Sequence, residues 1–313
     1  MNKHVSDYSK VYNAEDYWNM PAQERYEFDI LVVQMGAVAP AIYEDQILNS
    51  KKLKWVHSLS AGIDGYVAKQ AVKESDVPLT NAKGAFSDVL AEFVMLGCLY
   101  HTKFLEKFIE DKAQKSWSPI PMELVSNKHM AIVGYGSIGA ACAKKAKTAF
   151  GMKVSGVKRN PDDVPHDHRE YCDEIVGNDQ YQRVISEADF VVGALPKVPG
   201  LTDDFFNMQS TFSKMKPSSV FMNIGRGTCV NEEDLVAALN SQLISGAVLD
   251  VFKKEPLTKE SGLWDCKNVL MTPHCADQDR EFLHRSMKLF GANLEKYCNG
   301  QDLLNICDKR KGY

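Results

Sequence analysis

The sequence predicts an α/β fold with two doubly wound parallel sheets, one in each of two domains separated by a cleft. Short apolar runs alternate with amphipathic stretches throughout the 313 residues, as expected for strands connected by helices. The apolar runs are continuous, which is typical of parallel strands covered on both faces. A long helical stretch separates three early strands from six later ones, which favours two sheets over one.

Nine segments have the composition of buried strands. In chain order they are 29–35, 53–59, 77–82, 129–135, 153–157, 189–195, 219–225, 246–252 and 268–274. One long helix is predicted from Asp88 to about Lys115, and another over 279–300. The last helix would return the chain to its first domain. We therefore predict a discontinuous first domain, 1–103 and 281–313, and a second domain, 104–280.

Composition and charge argue against several classes of protein. A net charge of −4 provides no basic field for nucleic acid or anionic membranes. The longest apolar run, "AEFVMLGCLY", is too short to span a bilayer and contains Glu92. The polar, acidic N-terminus has no apolar segment typical of a signal peptide. We expect a cytoplasmic protein with no nucleic-acid or membrane partner.

The cysteines and histidines do not indicate a metal site. The eight cysteines are scattered, with no C-x-x-C pair, as in a protein with reduced thiols. His166 and His168 lie close together in "VPHDHRE", but no Cys or further His is near them in sequence. A solvated polar loop is the favoured interpretation, and no metal is predicted.

The segment "AIVGYGSIGAAC" predicts a Rossmann-type dinucleotide site. Gly134 permits a tight turn after the strand, Gly136 lets the backbone approach a pyrophosphate, and Gly139 lets helix and strand pack closely. The N-terminus of the following helix offers N–H groups to an anion. The second domain is therefore the predicted dinucleotide-binding domain, and the first is the predicted substrate-binding domain.

The residues after the next strand bear on which dinucleotide is bound. An acidic residue about 20 residues beyond the glycines would bond the ribose 2′-hydroxyl of NAD. Here Lys158, 19 residues after Gly139, is followed by Arg159 and Asn160. Two cations and an amide suit the 2′-phosphate of NADP(H). NADP(H) is the predicted cofactor, and NAD(H) binding beside solvated cations is the alternative.

Three polar residues in loops that follow predicted strands form a candidate catalytic group. They are Arg226, Glu255 and His274. Such loops converge at the carboxyl ends of parallel strands. An arginine can hold the carboxylate of a 2-oxo acid and polarise its ketone, and a histidine can donate the proton. A carboxylate beside the histidine orients its ring and favours the imidazolium. Each residue alone is compatible with a structural role; their combination behind a nucleotide loop favours catalysis.

At these residues the chain resembles the D-isomer-specific 2-hydroxyacid dehydrogenase family. The resemblance runs from "LKWVHSLSAGID" to "MTPHCAD" and includes "VGYGSIG", "MNIGRG", "LDVFKKEP" and "TPH". It implies that Arg226, Glu255 and His274 are the catalytic residues. It also implies that the backbone of "LSAGID" binds the substrate carboxylate through Ser60, Ala61 and Gly62. The further cofactor contacts that it implies are Ser137, Ile138, Leu195, Pro196, Ile224, Gly225, Asp250 and Ala276.

The resemblance leaves the substrate open. The basic segment "VKRN" resembles the glyoxylate and hydroxypyruvate reductase branch of the family more than its NAD-dependent lactate branch. We therefore predict a glyoxylate or hydroxypyruvate reductase. A D-lactate or bulkier D-2-hydroxyacid dehydrogenase is the alternative. Phe86 either narrows the substrate pocket or packs in the core. Thr202, after the unusual "KVPGL", corresponds to a threonine of the family, but the altered residues before it leave the role of that loop open.

Two further interpretations concern class and assembly. A nucleotide-sensing corepressor-like binding protein is the non-enzyme alternative, and the complete Arg226, Glu255 and His274 set argues against it. The family also implies a homodimer, with the helix that begins near Asp88 in the interface.

Overall fold

The computed structural model describes residues 14–34, 36 and 38–312, and these residues form two compact α/β units. The first unit lies within Met1–Phe86 and Arg280–Tyr313, and the second is Ser87–Asp279. The predicted α/β class with parallel sheets is confirmed. The structure divides the chain after Phe86, whereas the sequence placed the division after residue 103.

The helices and strands are numbered here in chain order. The helices are α1 (Ala14–Asn19), α2 (Ala22–Arg25), α3 (Ala39–Asn49), α4 (Asp64–Val67), α5 (Gln70–Glu74), α6 (Ser87–Thr102), α7 (Leu105–Gln114), α8 (Ser137–Phe150), α9 (His166–Arg169), α10 (Tyr181–Glu187), α11 (Glu232–Asn240) and α12 (Phe282–Cys298). The strands are β1 (Ile30–Val33), β2 (Trp55–Ser58), β3 (Leu79–Thr80), β4 (His129–Val133), β5 (Lys153–Val157), β6 (Glu174–Val176), β7 (Phe190–Gly193), β8 (Val220–Asn223), β9 (Gly246–Leu249) and β10 (Val269–Met271).

The first unit contains a parallel sheet of three strands in the order β1-β2-β3. Helix α12 packs against it, since the Trp55 ring of β2 stacks on Phe290 of α12 with centroids 5.4 Å apart. Ser286 of α12 donates a hydrogen bond to the Leu59 carbonyl at 2.8 Å. The C-terminal helix therefore belongs to the same unit as the first strands. Met35, the last residue of the first predicted strand, lies outside the described residues.

The second unit contains a parallel sheet of seven strands in the order β10-β9-β8-β7-β4-β5-β6. Met130 and Ile132 of β4 pack in one core cluster with residues of α6 and α8. Ala131 and Val133 of the same strand pack in a second cluster with residues of α10 and α11. The sheet is thus covered on both faces, as its continuous apolar strands require. The carboxyl ends of the strands all lie at one edge of this sheet.

Helix α6 belongs to the second unit because of the residues it buries. Leu90, Ala91 and Val94 lie in the same core cluster as Met222 and Val248 of the sheet. A Cβ atom at Gly97 would approach Val248 Cγ2 to 2.9 Å, so the helix lies directly on the strands. No helix among the described residues is both long and apolar enough to cross a membrane.

One predicted element is wrong in detail, and one strand was missed. The single helix predicted from Asp88 to Lys115 is two helices, because Phe104 adopts a left-handed conformation with φ 53° between α6 and α7. The short edge strand β6 was not predicted at all. It has three residues, Glu174–Val176, all partly exposed, so it lacks the apolar run that marks the other strands.

Candidate active site

The loop between β4 and α8 has the geometry of a dinucleotide site. Gly134 has a φ of 96°, and a Cβ there would lie 2.6 Å from the Ala194 carbonyl oxygen. At Gly139 a Cβ would lie 3.0 Å from Ile132 Cγ2, so this glycine permits close helix–strand packing. A Cβ at Gly136 would meet nothing within 4 Å. The backbone there is open to a bound group, and the N-terminal residues of α8, Ser137 and Ile138, follow directly. The loop therefore fits a pyrophosphate.

The basic segment lies beside this loop. Strands β4 and β5 are paired in parallel, with Val133 opposite Val157. Gly134 and Lys158, the residues that follow these two strands, are therefore neighbours at the carboxyl ends of the strands. Lys158 Nζ donates to the Asp163 carbonyl at 3.1 Å, and Arg159 and Asn160 are exposed.

The loops after β7 and β8 pack closely against each other. A Cβ at Gly225 would lie 2.5 Å from the Leu195 carbonyl oxygen. The Ile224 side chain packs in the hydrophobic core. Thr202 is 5% exposed, donates its hydroxyl to the Pro196 carbonyl at 2.9 Å and accepts from the Val198 N–H at 2.8 Å. Its hydroxyl therefore closes the loop that contains Pro196.

Glu255 and His274 are in direct contact. His274 Nδ1 lies 2.7 Å from Glu255 Oε2, and Glu255 Oε1 accepts a hydrogen bond from the Phe252 N–H at 2.9 Å. Because the partner is a carboxylate, Nδ1 is the donor, and Nε2 is the ring nitrogen directed away from Glu255. The His274 side chain is 45% exposed. The pair therefore presents an oriented imidazole to an accessible space.

The backbone that carries His274 is held in an unusual conformation. His274 has a φ of 50°, in the left-handed region that few side chains adopt. Its N–H donates to the carbonyls of Asp250 and Thr272, at 2.8 and 3.0 Å. Strain of this kind persists where the surroundings fix the conformation, and it is frequent at functional sites.

Hydrogen bonds to Asp250 hold the backbone of His274 in that conformation. Asp250 is 2% exposed, and its Oδ1 accepts hydrogen bonds from Thr272 Oγ1 at 2.6 Å and from the N–H groups of Cys275 and Ala276 at 2.9 and 3.0 Å. One carboxylate oxygen therefore orders both sides of His274. This contact gives Asp250 a structural role besides the cofactor contact that the family resemblance implies.

Arg226 reaches the same region through a close backbone approach. It follows β8, and its Nη1 donates to the Gly225 carbonyl at 2.8 Å. A Cβ at the next residue, Gly227, would lie 1.9 Å from the Phe252 carbonyl carbon. Only glycine allows the Arg226 loop to lie this close to the backbone of Phe252, whose N–H donates to Glu255. The three predicted catalytic residues thus lie in loops at one edge of the seven-stranded sheet.

The remaining predicted residues lie in the first unit. Ser60, Ala61 and Gly62 follow β2, are half-buried and precede the four-residue helix α4. The Ser60 N–H already donates to Ser58 Oγ at 3.2 Å. Phe86 is 3% exposed and stacks on Phe282 with centroids 4.3 Å apart, so it packs in the core.

Sequence reasoning missed three residues of this site. Thr272 and Gly227 hold the two loops in place, and Asp277 lies close to the predicted catalytic residues. The sequence indications were the positions of Thr272 and Asp277 on either side of His274, in "TPHCAD", and the position of Gly227 directly after Arg226, in "MNIGRG". In the described part of the chain, no group of three or more His, Cys, Asp or Glu side chains is arranged to hold a metal ion.

The fold and this site define the class of protein. A doubly wound sheet with a phosphate-type glycine loop and an oriented carboxylate–histidine pair is characteristic of dinucleotide-dependent oxidoreductases. Residues 94–276 match the model of the D-isomer specific 2-hydroxyacid dehydrogenase NAD-binding domain. The chain belongs to this family of oxidoreductases, as the sequence motifs predicted.

Individual relatives agree with this assignment. The chain is 29% identical to the glyoxylate reductase of Thermococcus litoralis, over 90% of this chain and 84% of that protein. It is 27% identical to glyoxylate/hydroxypyruvate reductase A of Citrobacter koseri, over 86% of this chain and 84% of that protein. It also resembles the structure of the NADPH-dependent glyoxylate/hydroxypyruvate reductase of Sinorhizobium meliloti in complex with NADP and sulfate. The TM-score is 0.79 and the identity 30%, covering 93% of this chain and 89% of that one.

Proposed function

We propose that the protein uses NADPH to reduce a small 2-oxo acid, such as glyoxylate or hydroxypyruvate, to the D-2-hydroxy acid. The observation that carries this proposal is the 2.7 Å contact between His274 Nδ1 and Glu255, in loops at the same sheet edge as the glycine loop. The names of the relatives support the substrate class. Turnover of glyoxylate or hydroxypyruvate with NADPH by the purified protein is the direct test.

His274 is the proposed acid–base group. Its Nδ1–H bond to Glu255 fixes the ring, so Nε2 can hold the proton that the ketone oxygen receives during reduction. In the reverse direction Nε2 accepts that proton from the hydroxyl group. The Glu255 carboxylate stabilises the imidazolium while it holds the proton.

Arg226 is the proposed substrate anchor. Its guanidinium group can donate two parallel hydrogen bonds to the substrate carboxylate and polarise the adjacent ketone. For the first unit taken by itself, the family resemblance assigns carboxylate binding to the segment 60–62, which follows β2 and is half-buried. The second unit holds the dinucleotide at Gly134, Gly136 and the start of α8. When bound, the nicotinamide supplies the hydride.

Lys158 and Arg159 should determine the preference for NADPH. Replacing both with serine removes two cations that suit a 2′-phosphate, and we expect kcat/KM for NADPH to fall by roughly 10- to 100-fold, since a hydrogen bond to a charged group contributes about 1.5–3 kcal/mol. The value for NADH should change little. Steady-state kinetics with both cofactors measures the ratio.

A matched control is available on the same strand. Lys153, at the other end of β5, is exposed and pairs with Glu187 at 3.5 Å. Lys153→Ser removes one cation without touching the cofactor loop and should leave the cofactor ratio unchanged. An unchanged ratio in the double variant would show that Lys158 and Arg159 are solvated cations without a role in selectivity.

We further propose that the chain forms a homodimer through the second unit. Leu96 of α6 is 46% exposed and Ile109 of α7 is 64% exposed, so both helices present apolar side chains at the surface. Light scattering at assay concentration should give twice the chain mass of 35.0 kDa. A monomeric mass would contradict this proposal and leave the catalytic one intact.

A further inference from the structure

The turn after His274 places a third carboxyl group beside the proposed catalytic residues. The N–H groups of Cys275 and Ala276 are bonded to Asp250 Oδ1, and the Gln278 N–H donates to the Cys275 carbonyl at 2.9 Å. The chain therefore reverses direction over these four residues, and Asp277 occupies the third position of the turn. These hydrogen bonds come from the N–H groups of the neighbouring residues, so the turn does not depend on the Asp277 side chain.

The surroundings of Asp277 are those of the active site. Its side chain is half-buried, and its carboxyl group receives a hydrogen bond from its own backbone N–H. Its charged neighbours are His274, Asp250 and Arg226. Burial raises the pKa of Asp277; His274 and Arg226 oppose this shift, and Asp250 adds to it. The Asp277 carboxyl group thus interacts electrostatically with two of the three proposed catalytic residues, His274 and Arg226.

We propose that Asp277 is a specificity-determining residue that selects 2-oxo acids with a single negative charge and rejects those with a second one. This inference rests on the proposed function and specifies the substrate class of the same site. Arg226 compensates one substrate carboxylate. A second anionic group near Asp277 would be repelled, and a repulsion between unit charges a few ångströms apart in a partly desolvated site is worth several-fold to more than tenfold in affinity. Neutral substituents, including a hydroxyl group that can donate to Asp277, escape this repulsion.

The charge of Asp277 can be removed without changing its shape. Asparagine has nearly the same size as aspartate and is equally suited to a turn. Asp277→Asn therefore isolates the electrostatic role from the structural one. Asp265, an exposed carboxylate of the same unit on a short 3-10 helix, is the matched control, because Asp265→Asn alters the net charge by the same amount.

The test uses two nearly isosteric ligands, oxamate and oxalate, which carry one and two negative charges at neutral pH. Calorimetric titration of the protein–NADPH complex measures both affinities in the wild type, D277N and D265N. We expect D277N to strengthen oxalate binding relative to oxamate by roughly tenfold, the effect of about 1.4 kcal/mol. D265N should keep the wild-type ratio.

A kinetic comparison extends the same test to turnover. The four-carbon substrates 2-oxobutyrate and oxaloacetate differ by one carboxylate, and D277N should raise the kcat/KM ratio in favour of oxaloacetate by a similar factor. If D277N is folded and binds both ligands in the wild-type ratio, Asp277 is only a turn residue and the inference is wrong. If the wild type binds neither ligand and reduces no 2-oxo acid, the proposed function itself fails, and this inference fails with it.

Discussion

Replacement of His274 by asparagine is expected to lower kcat with glyoxylate or hydroxypyruvate by roughly 10²- to 10⁴-fold, the usual contribution of a positioned acid–base group. Asparagine is the appropriate replacement because His274 has a φ of 50°, and asparagine tolerates the left-handed region better than most residues. The backbone bonds from Asp250 should therefore survive. The loss should appear in both directions of the reaction, because one nitrogen donates and accepts the same proton.

The measurement is single-turnover and steady-state kinetics together with NADPH binding by fluorescence. Binding of NADPH should be unchanged, since the glycine loop lies between β4 and α8 and does not include His274. His284→Asn, at an exposed position of α12, is the control and should keep wild-type kcat. A near-normal kcat in the His274 variant would refute the acid–base assignment, whereas lost NADPH binding would point to a structural role.

The fold was predictable where burial alone determines the element. Residues 130–133 of β4 are all apolar and buried, and the strand was found from composition. The edge strand β6 begins with Glu174 and is only partly buried, so nothing in its sequence marks it. The break in the long helix occurs at Phe104, without glycine or proline. The left-handed region is sterically unfavourable for phenylalanine, so the local sequence gives no reason to expect a break there.

The site was predictable as a set of loops but not as a set of contacts. Arg226, Glu255 and His274 each follow a strand of one parallel sheet, and topology places their loops at one edge. The contact of Gly227 with Phe252 and the three bonds to one oxygen of Asp250 depend on the exact separation of neighbouring loops. The same holds for Asp277, since only the fold shows that the turn brings it near Arg226.

Replacement of Arg226 by glutamine is expected to lower kcat/KM for the 2-oxo acid by roughly 10²- to 10³-fold. Glutamine loses a bidentate, charge-assisted interaction with the substrate carboxylate, and each charged hydrogen bond contributes about 1.5–3 kcal/mol. The hydrogen bond from Nη1 to the Gly225 carbonyl shows that one end of the guanidinium group is held by its own loop. The group is thereby oriented before substrate binds, which is why its removal should affect KM and kcat together.

Two comparisons distinguish this role from a structural one. Arg226→Lys keeps the charge but not the planar fork, so it should recover only part of the activity. Added guanidinium ion at millimolar concentration should partly restore turnover in Arg226→Gln, because it can occupy the space of the missing group, and it should have no such effect on the His274 variant. Rescue with unchanged thermal stability would identify Arg226 as the substrate anchor. Equal activity of the lysine and wild-type proteins, with no rescue of the glutamine variant, would show that the guanidinium fork makes no contact with the substrate.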